Sequence, residues 1–275
     1  MTSLSSIPKT EGWTSVSQVY THVERITLPL AHQLVTFVHT HSPLSSPTAT
    51  VFDNGSGTGV LTAALKTSFP SFPILAKDAS PGMVSILSRR VAENGWTDVQ
   101  AKTLDARKLE GIADDSFTHV FSTFVICLAP EPDLIAREMY RVIKPGGVLG
   151  LAVWADPYSG FSDTPWTKAC RKVMPDYEAV APMDGRWSRT EDVKTNLELR
   201  EERIGWRWGS VDELVGYFFD GGNPGNEIMI ESFRERGGDV GVVRGVFEVV
   251  VGEMYEREGG ACEGDVVACL VVARK

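Results

Sequence analysis

Three glycines at alternate positions follow an apolar segment that ends in a carboxylate: Val51-Phe52-Asp53-Asn54-Gly55-Ser56-Gly57-Thr58-Gly59. Glycine accepts left-handed backbone at little cost, so the pattern reads as a strand turning tightly into a helix. Such a turn lets the main chain pass close to a ligand. The spacing is D-x-G-x-G-x-G. The dinucleotide fingerprint, G-x-G-x-x-G, sets its last glycine one residue later. Asp53 falls at the carboxyl end of the strand, where open α/β sheets bind ligands. A carboxylate there suits a cationic or amino-bearing ligand and repels a pyrophosphate, which disfavours a nicotinamide oxidoreductase. Taken alone, the stretch also reads as a tight turn with no ligand.

The rest of the chain repeats the alternation of strand and helix. Apolar residues at helical spacing run from Trp13 to about Thr40, and Pro29 is expected to break or kink them into two helices. Strands are expected over 48–53, 72–78, 99–104, 117–124 and 148–154, with helices between them. Ser80-Pro81 is a helix start, a hydroxyl cap followed by proline at the first helical position. Lys144-Pro145-Gly146-Gly147 is expected to stop the helix over 132–142. Beyond Trp154 the pattern changes to prolines and aromatics, read as an insertion over about 155–190. A sixth strand over 198–208, helices near 210–219 and 226–236, a helix over 240–255 whose valine run also permits a strand, and a last strand over 265–273 complete the reading. The expected architecture is an α/β, Rossmann-like, seven-stranded doubly wound sheet. Residues 1–47 form an N-terminal helical cap, and 48–275 form one domain with a lid insertion.

Composition narrows the classes of function. A net charge of −9, with no basic tract, argues against nucleic acid or an anionic membrane as partner. Met1-Thr2-Ser3-Leu4-Ser5-Ser6 lacks a basic flank before an apolar core, so no secretory signal is expected, and no apolar run reaches membrane-spanning length. Cys127, Cys170, Cys262 and Cys269 fit no metal spacing, and a cytoplasmic location with reduced thiols is expected.

Carboxylates recur at the ends of the first three strands: Asp53, Asp78 and Asp105. Around them stand Asp78-Ala79-Ser80-Pro81-Gly82-Met83, the acidic turn Ala113-Asp114-Asp115-Ser116-Phe117, and Arg141-Val142-Ile143-Lys144-Pro145-Gly146-Gly147. With the glycine turn, these segments resemble the class I S-adenosylmethionine (SAM)-dependent methyltransferases over roughly residues 48–156. Asn94-Gly95-Trp96 and Thr118-His119-Val120-Phe121 extend the likeness, more loosely, to small-molecule methyltransferases of fungal secondary metabolism, relatives of gliotoxin-type thiol methyltransferases. One departure is Thr118 where the family usually carries aspartate.

The resemblance implies SAM as cofactor and assigns roles. Gly55, Gly57 and Gly59 would admit the ligand against the backbone. Asp53 would hold the α-amino group directly or through water, Asp78 the ribose hydroxyls, Asp105 the adenine amine, and the Ala106 N–H the ring nitrogen. Ala79, Met83 and Phe124 would flank the nucleoside. Tyr20 reads equally as a residue folded over the cofactor and as an ordinary helix aromatic. Trp154, Tyr158, Trp166 and Ile126 are the candidates for contact with the acceptor, though holding the insertion together is the commoner role for any single aromatic within it. No catalytic base is assigned: methyl transfer is mostly positioning, and His119 lies at the wrong end of its strand.

The expected function is methyl transfer to an O, N or S atom of a small metabolite. Two alternatives stand beside it: a SAM-binding cyclase that does not consume the cofactor, and a non-enzymatic SAM-binding regulator.

Overall fold

The computed structural model describes residues 10–15, 17–18, 20–129, 131–154, 164–178, 197–221 and 223–275. Seven strands form one sheet in the order β3-β2-β1-β4-β5-β7-β6. They are β1 (Val51–Asn54), β2 (Ile74–Asp78), β3 (Val99–Thr103), β4 (Phe117–Thr123), β5 (Ile143–Trp154), β6 (Leu197–Trp208) and β7 (Cys262–Arg274). The first five run parallel, and β7 lies antiparallel between β5 and β6. This is the expected Rossmann-like sheet.

Side chains alternate between two buried faces, as a covered parallel sheet requires. Val51, Phe121, Val148 and Leu270 pack beneath α2 (Glu24–His41), α3 (Val60–Ser68) and α4 (Pro81–Glu93). Phe52, Val120, Leu151 and Val271 meet α5 (Pro132–Val142) and Leu109 of the loop after β3. A third cluster, centred on Trp166, Phe218, Phe233 and Phe247, joins α6 (Pro165–Val173), α7 (Val211–Phe219), α8 (Pro224–Glu235) and α9 (Val240–Arg257).

Two local expectations are corrected. The N-terminal break falls before residue 20, not at Pro29. α1 (Thr10–Ser15) is followed by a 3-10 turn over Tyr20–Val23, and α2 then runs through Pro29. Proline removes only the bond to the carbonyl four residues back. Buried Leu30, Ala31, Leu34, Val35 and Val38 hold the helix against the sheet past that point. The Lys144–Gly147 turn does not precede β5 but belongs to it. Ile143 already pairs with Phe117, and the register then shifts between Phe117 and His119.

His119 sits at the end of β4 remote from the glycine turn, buried, its Nε2 3.2 Å from the Ser42 carbonyl. Burial lowers its pKa, as expected of a structural histidine. Thr118, where an aspartate was expected, bonds the Thr50 backbone on both sides: Oγ1 donates to Thr50 O (3.0 Å) and accepts from Thr50 N (2.9 Å). A neutral hydroxyl thus fastens β1 to β4.

Candidate active site

At the carboxyl ends of β1 to β4 lies a cavity of about 380 Å³, within the range of small-molecule sites. Its floor is the glycine turn. Gly55, Gly57 and Gly59 take φ of 77°, 53° and 90°. A side chain at Gly55 would place Cβ 2.2 Å from Val125 Cγ2, and one at Gly59 would place it 2.5 Å from Leu87 Cδ1. The turn is fixed by its own donors: Gly55 N and Ser56 N bond the Lys77 carbonyl at 2.7 and 2.9 Å.

Asp78 faces the cavity with each oxygen anchored, Oδ2 by Gly57 N (2.9 Å) and Oδ1 by Ser80 N (2.8 Å). Burial raises its pKa, while these two bonds oppose the rise. Each oxygen keeps acceptor capacity for a ligand hydroxyl. Ser80 caps α4 by accepting from Met83 N, which brings Met83 to the wall. Asp105 is gripped by Arg107, whose Nε lies 3.1 Å from both oxygens and whose Nη2 lies 2.7 Å from Oδ2. That grip holds the Asp105 carboxyl below its usual pKa. Ala106 N–H, on the same wall, has no acceptor among the described residues.

Phe124 directly follows β4 with φ 59°, a left-handed conformation that disfavours a bulky residue. Its N–H bonds the Ala152 carbonyl at 2.7 Å, and its ring stacks on Trp154 at 4.1 Å. Such strain, held by its surroundings, marks functional sites. The N-terminal segment also lines the cavity. Trp13 and Tyr20 meet edge to face at 5.7 Å, and both line the cavity. Burial raises the pKa of Tyr20, so its phenol stays neutral. Glu24 ties this segment down: it accepts from Thr58 in the turn (2.7 Å) and from Arg90 of α4 (2.8 and 2.9 Å).

Nine of the expected cofactor residues therefore share one cavity: Tyr20, Gly55, Gly57, Asp78, Ala79, Met83, Asp105, Ala106 and Phe124. Two stand apart. Gly59 serves the packing of α3 against α4. Asp53 is fully buried below the turn, bonded through Oδ2 to Thr62 Oγ1 (2.7 Å), with Oδ1 unpartnered. Burial pushes its pKa up to about 7, and the Asp78 charge adds to the rise.

The acceptor candidates are placed differently from expectation. Trp154 sits behind Phe124 and does not line the cavity. Ile126 is buried in the core under α5. Trp166 of α6 is buried against α7 and α8, its indole N–H donating to the Tyr177 hydroxyl (3.3 Å). Apolar packing claims each of these side chains before a ligand could. Tyr158 lies outside the described residues. Sequence reasoning passed over Trp13, Arg107 and Glu24. Of these only Arg107 carried a readable signal, an Asp-x-Arg spacing that lets the guanidinium fold back onto Asp105.

Residues 51–147 match a family model described as a methyltransferase domain. The matched stretch contains the glycine turn, Asp78, Asp105 and Phe124. A methyltransferase named ucsB from an Acremonium species is 29% identical over 213 residues, covering 71% of this chain and 70% of that protein. An acetylaranotin bis-thiomethyltransferase from Aspergillus terreus is 25% identical over 194 residues, covering 65% of this chain and 63% of the relative. The YcgJ protein of Bacillus subtilis shares the fold, with TM-score 0.55 at 17% identity over 89% of this chain and 98% of its own. Among the described residues, no helix is long and apolar enough to cross a membrane.

Proposed function

We propose that this protein transfers a methyl group from SAM to an O, N or S atom of a small, partly apolar metabolite. The observation that carries the reading is the cavity itself, in which a left-handed glycine turn, Asp78 and the Ala106 N–H converge inside the stretch that matches a methyltransferase domain. The donor set fits the cofactor. Asp78 has open lone pairs for two ribose hydroxyls. The Asp105 carboxylate and the Ala106 N–H suit an amino edge and a ring nitrogen. Asp53, with its Oδ1 unpartnered, is not part of the cavity lining, so any link from it to the α-amino group would need a bridging water. When bound, SAM supplies a methyl group activated by the adjacent sulfonium.

The residues of the chain then have three tasks. The turn and Asp78 fix the nucleoside and so the direction of displacement. Trp13, Tyr20, Phe124 and Leu128 exclude water from the reacting centre. Tyr20, neutral, offers a hydrogen bond to the acceptor heteroatom and does not take its proton. His32, His39, His41 and His119 do not line the cavity. An acceptor acidic enough to ionise by itself, or a free amine, suits the site without a dedicated base. Four free, buried cysteines suit a reducing compartment, and we place the protein in the cytoplasm.

The test is turnover with methyl-labelled SAM against a panel of thiols, phenols and amines. Label in the product, with S-adenosylhomocysteine released in equal amount, is expected. Product formed without loss of SAM would replace methyl transfer by a cyclase-type reaction. Binding of SAM with no turnover on any acceptor class would favour a regulator.

A further inference from the structure

The loop after β3 crosses one end of the cavity and is tied to α5 at two places. The inner tie is built around buried Leu109. Its N–H donates to Glu138 Oε2 (2.8 Å), and its carbonyl accepts from Arg141 Nη2 (3.2 Å). Arg141 also bonds the Ile112 carbonyl (2.8 Å). The outer tie lies at the surface. Arg107 Nη1 meets Glu131 Oε2 at 2.9 Å, with side chains 37% and 59% exposed.

Glu131 is held in an unusual conformation for this task. Its φ and ψ are 56° and 53°, and it stands directly before Pro132. A residue before proline prefers extended backbone, and a non-glycine residue avoids the left-handed region. Its side chain gives α5 no capping bond. The carboxylate reaches across to Arg107 instead. Arg107 lines the cavity and clamps Asp105 with three side-chain contacts of 2.7–3.1 Å.

We propose that Arg107 and Glu131 form a latch across the nucleoside end of the cavity. Closed, the latch fixes the Asp105 carboxylate toward the amino edge of the ligand. Open, it frees residues 105–108 to swing between Leu104, whose N–H stays on the Asp78 carbonyl (2.9 Å), and the Leu109 tie, and the ligand leaves by that end. Arg107 is thus a positioning residue that acts through Asp105, with Glu131 as its anchor. The outer tie suits a gate because an exposed ion pair is weak and screened by salt, whereas the inner tie, fastened to a buried residue, suits a hinge. The proposal rests on the reading that the cavity takes SAM and S-adenosylhomocysteine.

The experiment is stopped-flow displacement of S-adenosylhomocysteine from the full chain, at low and high NaCl. Wild-type protein is compared with Glu131→Gln and Arg107→Gln. Release is expected to quicken about two- to fivefold in Glu131→Gln, the scale of one exposed ion pair. Salt should quicken release from wild type and leave Glu131→Gln nearly unchanged, a difference that a merely structural role would not produce. Arg107→Gln, which also frees Asp105, should release fastest, with the thermal midpoint close to wild type in both variants. Equal release rates, or equal salt dependence in all three proteins, would overturn the latch while leaving SAM binding intact. Failure of wild type to bind either nucleoside would overturn the cavity reading and the latch together.

Discussion

The molecule holds two aromatic-rich regions that look alike in sequence and behave differently in structure. Around the cavity, Trp13, Tyr20 and Phe124 stand beside polar backbone, left-handed turns and carboxylates. In the region of α6 to α9, Trp166 stacks on Phe218 at 5.0 Å and meets Phe233 edge to face at 5.6 Å, and Phe218 stacks on Phe247 at 5.0 Å. There the rings satisfy one another. The difference lies in what surrounds an aromatic side chain. Rings that meet only rings make a core. Rings set beside constrained backbone and unpaired donors make a site.

Removing the largest side chain of the second region should have the largest effect on stability. Trp166→Ala is expected to cost about 3–5 kcal/mol of stability, seen as a lowered thermal midpoint. SAM affinity of the molecules that remain folded should be unchanged. Loss of affinity without loss of stability would place Trp166 in the site after all. The converse change strikes the turn. Gly55→Ala forces a Cβ against Val125 at a φ of 77°. We expect about 1–2 kcal/mol from backbone strain and about 1–3 kcal/mol from overpacking, with loss of SAM binding seen by calorimetry.

Asp78→Ala separates affinity from stability most cleanly. It should weaken SAM by about 1–3 kcal/mol, the cost of losing hydrogen bonds to a charged acceptor. Unchanged affinity would break the assignment of the ribose end. The smallest effect concerns Asp53 in the ligand-free protein. Its carboxyl rises from 3.8 to about 7 on folding, so between those values the folded state holds a proton that the unfolded chain has released. The stability this group contributes is full below about pH 4 and is lost as pH rises through about 7. Asp53→Asn should flatten that fall in thermal midpoint. A pH dependence identical to wild type would mean that Asp53 is charged when buried.

The first half of the chain was readable because each of its signals has a single local cause. Alternating glycines mark φ values that other residues resist, and Ser80-Pro81 caps a helix by geometry that two residues suffice to set. Strand-end carboxylates follow from the strands themselves. Asp53 shows where that logic stops. Its position at the strand end was legible, but the alternation of the sheet buries it under the turn and gives it Thr62 as partner, a contact no local pattern encodes. Trp166 and Ile126 failed for a related reason. Which face a side chain takes depends on long-range packing, and in Ile126 the left-handed Phe124 just upstream sets the path. Pro29 misled because proline opposes a helix locally, whereas burial of five neighbours along α2 acts over the whole element. Glu24 and Glu131 were invisible as site residues. Their partners, Thr58, Arg90 and Arg107, are 24 to 66 residues away in sequence.

The most direct test of the central claim is calorimetric titration of the purified protein with SAM and, separately, with NAD and NADP. The account expects micromolar binding of SAM and none of either dinucleotide. Folded protein that leaves SAM unbound, or that takes a dinucleotide in its place, would contradict it.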